Sequence, residues 1–261
     1  LKSIPLYLAL FLLAPVLLQC RAPLSVQPPA PPLSPQEIEQ RLSQFQEQQD
    51  RVTAFFSTGR LKVKTKDSES EANTLIMGTR DPFRIKIEMT HRWGRQLLHV
   101  LVNERGLHIL SFPEQRYYSG PIDGLGPWTF FPRGLDRDEL WAFVRGYPVL
   151  PKFGRALSLK GNQITLLNEK DKPLQIIDFD PRGRLPSMIA FPGKGIRLFF
   201  SRFKKEGLVQ YARTMTLDDS RAETTIKLNT KQMVFNKPIP EAVFELKIPP
   251  HYEKRPLISS P

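Results

Sequence analysis

Phe83-Arg84-Ile85-Lys86-Ile87-Glu88-Met89 alternates apolar and charged residues without a break. A period of two sets Phe83, Ile85, Ile87 and Met89 on one face of a strand and Arg84, Lys86 and Glu88 on the other. A strand with one apolar face belongs in an antiparallel sheet that must cover that face. The period continues on both sides of the stretch. Upstream, Leu61, Val63 and Thr65 alternate with lysines, Lys66 to Ser70 makes a polar turn, and Thr74 to Thr79 forms another strand. Downstream come Leu97 to Val102, the turn Asn103-Glu104-Arg105-Gly106, and Leu107 to Phe112. After a loop-like stretch from Gly120 to Gly134, strands resume at Ala156–Leu159, Ile164–Leu167, Leu174–Phe179, Ser187–Phe191, Ile196–Phe203, Val209–Leu217 and Glu223–Val234. Glycine and proline turns punctuate them, as in a meander.

Two helices interrupt the pattern. Ser34-Pro35 with Glu37 is an N-cap, a first-turn proline and an early acid. Ile38, Leu42 and Phe45 then fall on one face, and the apolar pattern runs on through Val52, Phe55 and Phe56 to a stop at Gly59. Asp136-Arg137-Asp138-Glu139 opens a second helix bearing Leu140, Trp141 and Val144, which Gly146 and Pro148 end. The expectation is an α+β chain, mostly β, with a strongly curved antiparallel sheet forming an incomplete barrel and short helices covering its concave face.

The N-terminus reads as an export segment. An apolar run from Leu6 to Leu18 precedes Cys20, the chain's one cysteine, and prolines 23, 28, 29, 31 and 32 follow it. That order suits a signal peptide over 1–19, then a lipidated Cys20 with an extended tether over 20–33. The globular domain is expected over 34–250, with a tail over 251–261. The other reading is a cleaved signal whose cysteine is incidental. A single cysteine excludes internal disulfides, so burial alone holds the fold. The formal net charge is +12. In an exported chain that balance suits an anionic membrane face or an acidic partner, and no nucleic-acid partner is expected.

No catalytic set stands out, and no enzyme is expected. The four histidines have no metal spacing, and no serine sits in a nucleophile elbow. Asp178 to Gly183 has the start of a calcium loop without its later acidic ligand, and Pro181 and Gly183 make it a hairpin turn. No metal or cofactor is expected. What the pattern does supply is an apolar face. With Val63 and Ile76, the residues Phe83, Ile85, Ile87, Leu98 and Val100 could line a groove for acyl chains; each buried methylene is worth about 0.8 kcal/mol. The same residues could equally form a dry core, and periodicity does not separate the two. Trp93 is different in kind. It sits at a turn tip between His91-Arg92 and Gly94-Arg95, where an indole suits a membrane interface and Arg92 and Arg95 suit phosphates.

Four stretches together resemble the LolA/LolB lipoprotein-localisation superfamily, in particular its outer-membrane receptor branch, LolB. The Ser34-Pro35-Gln36 helix looks like the family's first helix. Phe83 to Ile87, the His91–Gly94 turn and the Gln96–Val100 strand look like its strand, asparagine–proline–leucine–glycine loop and strand. Glu139 to Pro148 looks like its tryptophan-bearing helix ending, and Asp180–Phe191 and Thr214–Val234 look like its closing hairpins. Trp93 stands where the receptor loop carries leucine, and the Pro238–Phe244 stretch is closer to the carrier. The resemblance implies a monomeric outer-membrane lipoprotein facing the periplasm of a Gram-negative bacterium. Such a protein accepts acylated lipoproteins or lipids from a LolA-like carrier and inserts them into the membrane's inner leaflet. It implies a membrane-insertion loop at Arg92, Trp93, Gly94 and Arg95, a lid latch at Arg80, and Trp141 as a further groove residue. A general lipid or glycolipid carrier and a structural or assembly lipoprotein are the alternatives.

Overall fold

The structure, a computed structural model, describes residues 31–122, 135–180, 182 and 185–257. The expected signal segment, Cys20, most of the expected tether and the 123–134 stretch lie outside the described residues. In chain order the elements are α1 (Pro35–Asp50), β1 (Ala54–Lys64), β2 (Glu69–Thr79), β3 (Arg84–Thr90), β4 (Gln96–Asn103), β5 (Gly106–Ser111), β6 (Arg116–Gly120) and α2 (Arg137–Arg145). They continue with β7 (Arg155–Leu157), β8 (Gln163–Leu167), β9 (Pro173–Phe179), β10 (Pro186–Phe191), β11 (Ile196–Glu206), β12 (Val209–Asp219) and β13 (Thr224–Phe235). A 3-10 turn (Glu241–Phe244) and β14 (Glu253–Pro256) close the chain.

All fourteen of these strands form one curved, open sheet in the order β14-β6-β5-β4-β3-β2-β1-β13-β12-β11-β10-β9-β8-β7. The expected meander is therefore two meanders. They are welded where β1 pairs antiparallel with β13, from Phe55 opposite Phe235 to Lys64 opposite Thr225. A bulge at Thr58/Gly59 lets the two long strands bend together. A Cβ on Gly59 would lie 2.4 Å from the Asn229 carbonyl oxygen, so only glycine lets β13 approach here.

Sheet curvature brings both halves onto α2. Side chains from β1–β5 and β10–β13 join Leu140, Trp141, Phe143 and Val144 in one apolar cluster, and every α2 residue from Glu139 to Arg145 is buried. α1 covers the other end of the concave face. Its Ile38 and Phe45 pack with Ile164, Leu166, Ile177 and Phe179 of β8 and β9. Both helices start in capping boxes, Ser34 with Glu37 and Asp136 with Glu139, and α2 ends on Gly146 in the left-handed region at φ 76°.

One sequence expectation is corrected, and two further features emerge. The first helix stops at Asp50, because Phe55 and Phe56 are drawn into β1 by pairing on both sides, and Gly59 lies mid-strand. The charged face of β3 is not solvated. Lys86 is buried, and its Nζ donates to the Val243 carbonyl at 2.8 Å, because the chain after β13 runs back over the outer face of the sheet. Near its C-terminal end the chain adds a further strand to the sheet. β14 pairs in parallel with β6, and Leu257 is buried.

Candidate functional site

The β3–β4 turn is built by two backbone bonds. His91 N–H donates to the Arg95 carbonyl at 2.8 Å, and Gly94 N–H to the His91 carbonyl at 2.9 Å. Gly94 has φ +82°, which suits glycine at this corner. The turn aims Trp93 outward, and the indole is 87% exposed. Arg92 and Arg95 flank it in solvent, with the Arg92 guanidinium 3.7 Å from the Glu71 carboxylate. An exposed indole between two guanidiniums is amphipathic at the scale of one turn.

The groove candidates occupy the opposite setting. Ile85, Ile87, Val100 and Trp141 are buried, with Phe83 and Leu98 packed against them. Trp141 meets Phe55 edge-on at 5.1 Å between ring centroids and Phe83 at 6.4 Å. Of the six, Ile87 lines a hollow between α2 and the sheet, beside Leu61, Phe143, Leu217 and Leu228. That hollow measures about 20 Å³, room for about one water. With α2 in place, these side chains form a dry, filled core.

Polar ties hold α2 in the trough. Arg80, at the end of β2, places a guanidinium nitrogen 3.7 Å from Asp138 in the first turn of α2. Lys194, in the β10–β11 turn, donates to Glu139 at 2.6 Å and to Asp136 at 3.1 Å. Burial pushes the Glu139 carboxyl up, opposed by Lys194 and the Asp136 N–H. Burial likewise pushes Asp138 up, against the pull of Arg80. Arg137 donates to the Glu104 carbonyl at 3.1 Å.

Arg145 is the unusual member. It is 0% exposed. One guanidinium nitrogen donates to the Gln48 carbonyl near the end of α1, and the group lies 4.9 Å from the centre of the Tyr147 ring. Its Nε and Nη1 have no partner, and no carboxylate among the described residues pairs with it. Burial pushes this guanidinium down to about 9 and the Tyr147 hydroxyl up to about 12. Gln48 also uses its side chain, accepting from Gln210 N–H at 2.8 Å and donating to the Leu208 carbonyl at 3.1 Å. One residue thus joins α1, α2 and the β11–β12 hairpin. Sequence reasoning missed both. The available signal was an arginine closing the otherwise apolar run Leu140–Val144.

A second, wider space lies outside the trough. Between α1 and β7 runs an open groove of about 690 Å³, with Ile38 and Leu42 on one wall and Leu150, Phe153 and Ala156 on the other.

No protein-family model and no curated protein matches this sequence. Three solved structures similar to it are the following. An outer membrane lipoprotein-sorting protein domain from Vibrio parahaemolyticus is 14% identical, with a TM-score of 0.45 over 78% of this chain and 95% of that one. A DUF1329 family protein from Desulfovibrio piger is 14% identical, with a TM-score of 0.46 over 82% and 98%. A LolA superfamily protein from Nitrosomonas europaea is 11% identical, with a TM-score of 0.44 over 78% and 97%. All three likenesses are loose.

Among the described residues no helix is long and apolar enough to cross a membrane, and no group of three or more metal-ligating side chains converges. The chemistry these sites offer is physical: an interfacial tip, a plugged apolar trough and an open apolar groove.

Proposed function

We propose that this protein is a membrane-anchored lipid-handling lipoprotein of LolB type, tethered through Cys20 at the outer membrane. It would receive acylated lipoproteins from a LolA-like carrier and deliver them into the inner leaflet through the Trp93 turn. The observation that carries the reading is Trp93 itself, a large indole 87% exposed at a hairpin tip. Its two guanidinium neighbours match headgroup phosphates while the ring matches the boundary beneath them. In this reading the buried residues Ile85, Ile87, Val100 and Trp141, with the half-buried Phe83 and Leu98, meet cargo only when α2 swings out, and Arg80 with Asp138 is one tie that must open.

The deciding experiment is transfer of a radiolabelled lipoprotein from a loaded carrier into outer-membrane vesicles. Trp93→Ala should lower transfer at least fivefold with no change in thermal midpoint, because a side chain 87% exposed has little packing to lose. Unchanged transfer sinks the insertion role. Metabolic labelling with a palmitate analogue, wild type against Cys20→Ala, tests the anchor separately.

A second reading is favoured by one observation. The hollow under α2 holds about 20 Å³, so the trough is filled as it would be in a structural or assembly lipoprotein that uses its surface for docking. A disulfide locking α2 to the sheet discriminates the two: it abolishes transfer if cargo enters the trough and leaves an assembly role intact.

A further inference from the structure

Resting on the lipid-handling reading, we propose that the first seat for a fatty acyl chain is the open groove between α1 and β7, not the hollow beneath α2. The two spaces differ greatly in size, about 690 Å³ against 20 Å³, and the larger falls in the range of small-molecule sites. The groove needs no displacement of α2 and breaks none of its polar ties.

Its walls select a neutral chain. Ile38 and Leu42 present one face of α1, and Leu150, Phe153, Ala156 and Leu157 present the β7 side. The helical wall from Pro35 to Gln46 extends about 17 Å at the usual rise per residue. No lysine or arginine lines it, so nothing inside holds a phosphate or a carboxylate. The polar lining groups on α1 are Glu39, Ser43 and Gln46, spaced i, i+4 and i+7 along one lip. A hydroxyl and an amide there can donate to the ester or amide carbonyl that ends an acyl chain, while the tail lies on the floor. Apolar residues carry the path outward at both ends of β7: Phe153 before it is 38% exposed, and Leu159 after it is 74% exposed.

An extended peptide is the poorer occupant. β7 has three residues, and a strand edge this short resists pairing. Leu33 N–H also donates to Ser158 Oγ at 3.0 Å, which brings the incoming chain across the end of that edge.

The test is photolabelling of the full chain with the methyl ester of a diazirine-bearing palmitic acid, followed by peptide mapping. Adducts should fall within residues 33–46 and 150–158. Ala156→Trp fills the floor and should lower labelling at least tenfold. Phe153→Asp alters a side chain already open to water and should lower it severalfold with the thermal midpoint unchanged, which keeps the test decisive if the tryptophan variant does not fold. Adducts confined to Leu61, Phe143 and their neighbours under α2 overturn the groove assignment and leave the lipid reading standing. So does labelling that survives Phe153→Asp undiminished. A chain that takes no label anywhere overturns both.

Discussion

Replacing Arg145 with methionine should make the protein more stable. The guanidinium is fully buried, makes one side-chain hydrogen bond, to the Gln48 carbonyl, and leaves Nε and Nη1 without partners. Its burial lowers the proton affinity by more than three powers of ten, to a pKa of about 9. At about 1.4 kcal/mol per tenfold change, holding this charge inside costs on the order of 5 kcal/mol at neutral pH. Against that stand the charge-assisted bond to Gln48, worth about 1.5–3 kcal/mol, and the stacking over Tyr147, worth about 1 kcal/mol. Methionine matches the volume and flexibility without the charge. The variant should therefore gain about 1–3 kcal/mol, in line with other buried charges exchanged for apolar residues. The sign also depends on pH. Because the native value is depressed, the unfolded chain binds a proton that the native chain does not as pH rises above about 9. The wild type's penalty is complete below pH 9 and shrinks as pH rises above it, so the variant's advantage should narrow from pH 8 to pH 10.5. Urea unfolding of both proteins across that range measures it. If Arg145→Met is less stable than wild type by more than 1 kcal/mol at pH 7.5, the guanidinium is better solvated than the geometry indicates and the reasoning fails. If it is more stable, Arg145 is there to fix α2 against α1, and the variant's transfer activity becomes the informative readout.

Other outcomes follow from the same contacts. Gly78→Ala would set a Cβ 2.5 Å from the buried Phe55 ring and 3.1 Å from Trp141, which should lower stability by about 1–3 kcal/mol in chemical denaturation; a neutral result would show that the Phe55–Trp141 pair can shift. Lys194→Met leaves Glu139 buried and unpaired, and after discounting for the partial exposure of Lys194 should cost about 2 kcal/mol, with Glu139→Gln in the same background restoring most of it. Burial lowers His99 and His108 below 6.5. The unfolded chain therefore takes up protons first as pH falls, and stability should decline from pH 7 towards pH 5. His108→Asn, at the residue hydrogen-bonded to the Tyr117 hydroxyl, should flatten that decline; an identical slope would remove His108 from the account.

Much of the sheet was legible because the signals are local. The alternation at Phe83–Met89 became β3 with Ile85, Ile87 and Met89 inside, and both helix starts followed from side chains that cap their own first turn. The failures have equally local causes. Val52, Phe55 and Phe56 continue a helical spacing that only pairing with β2 and β13 overrides. β6 has five half-buried residues and β14 four exposed ones, so neither carries a period-two signal to read.

The sequence by itself determined the strands, the caps and the apolar face, since each depends on residues within a few positions of one another. Only the tertiary structure decided what that face touches. The weld of β1 to β13 joins residues about 170 positions apart, and it curls both meanders around α2 so that the trough is filled and Arg145 is sealed inside it. Periodicity states that a face must be covered. Whether a helix, a ligand or a partner covers it depends on contacts distant in sequence, as does the open groove where α1 comes to lie beside β7.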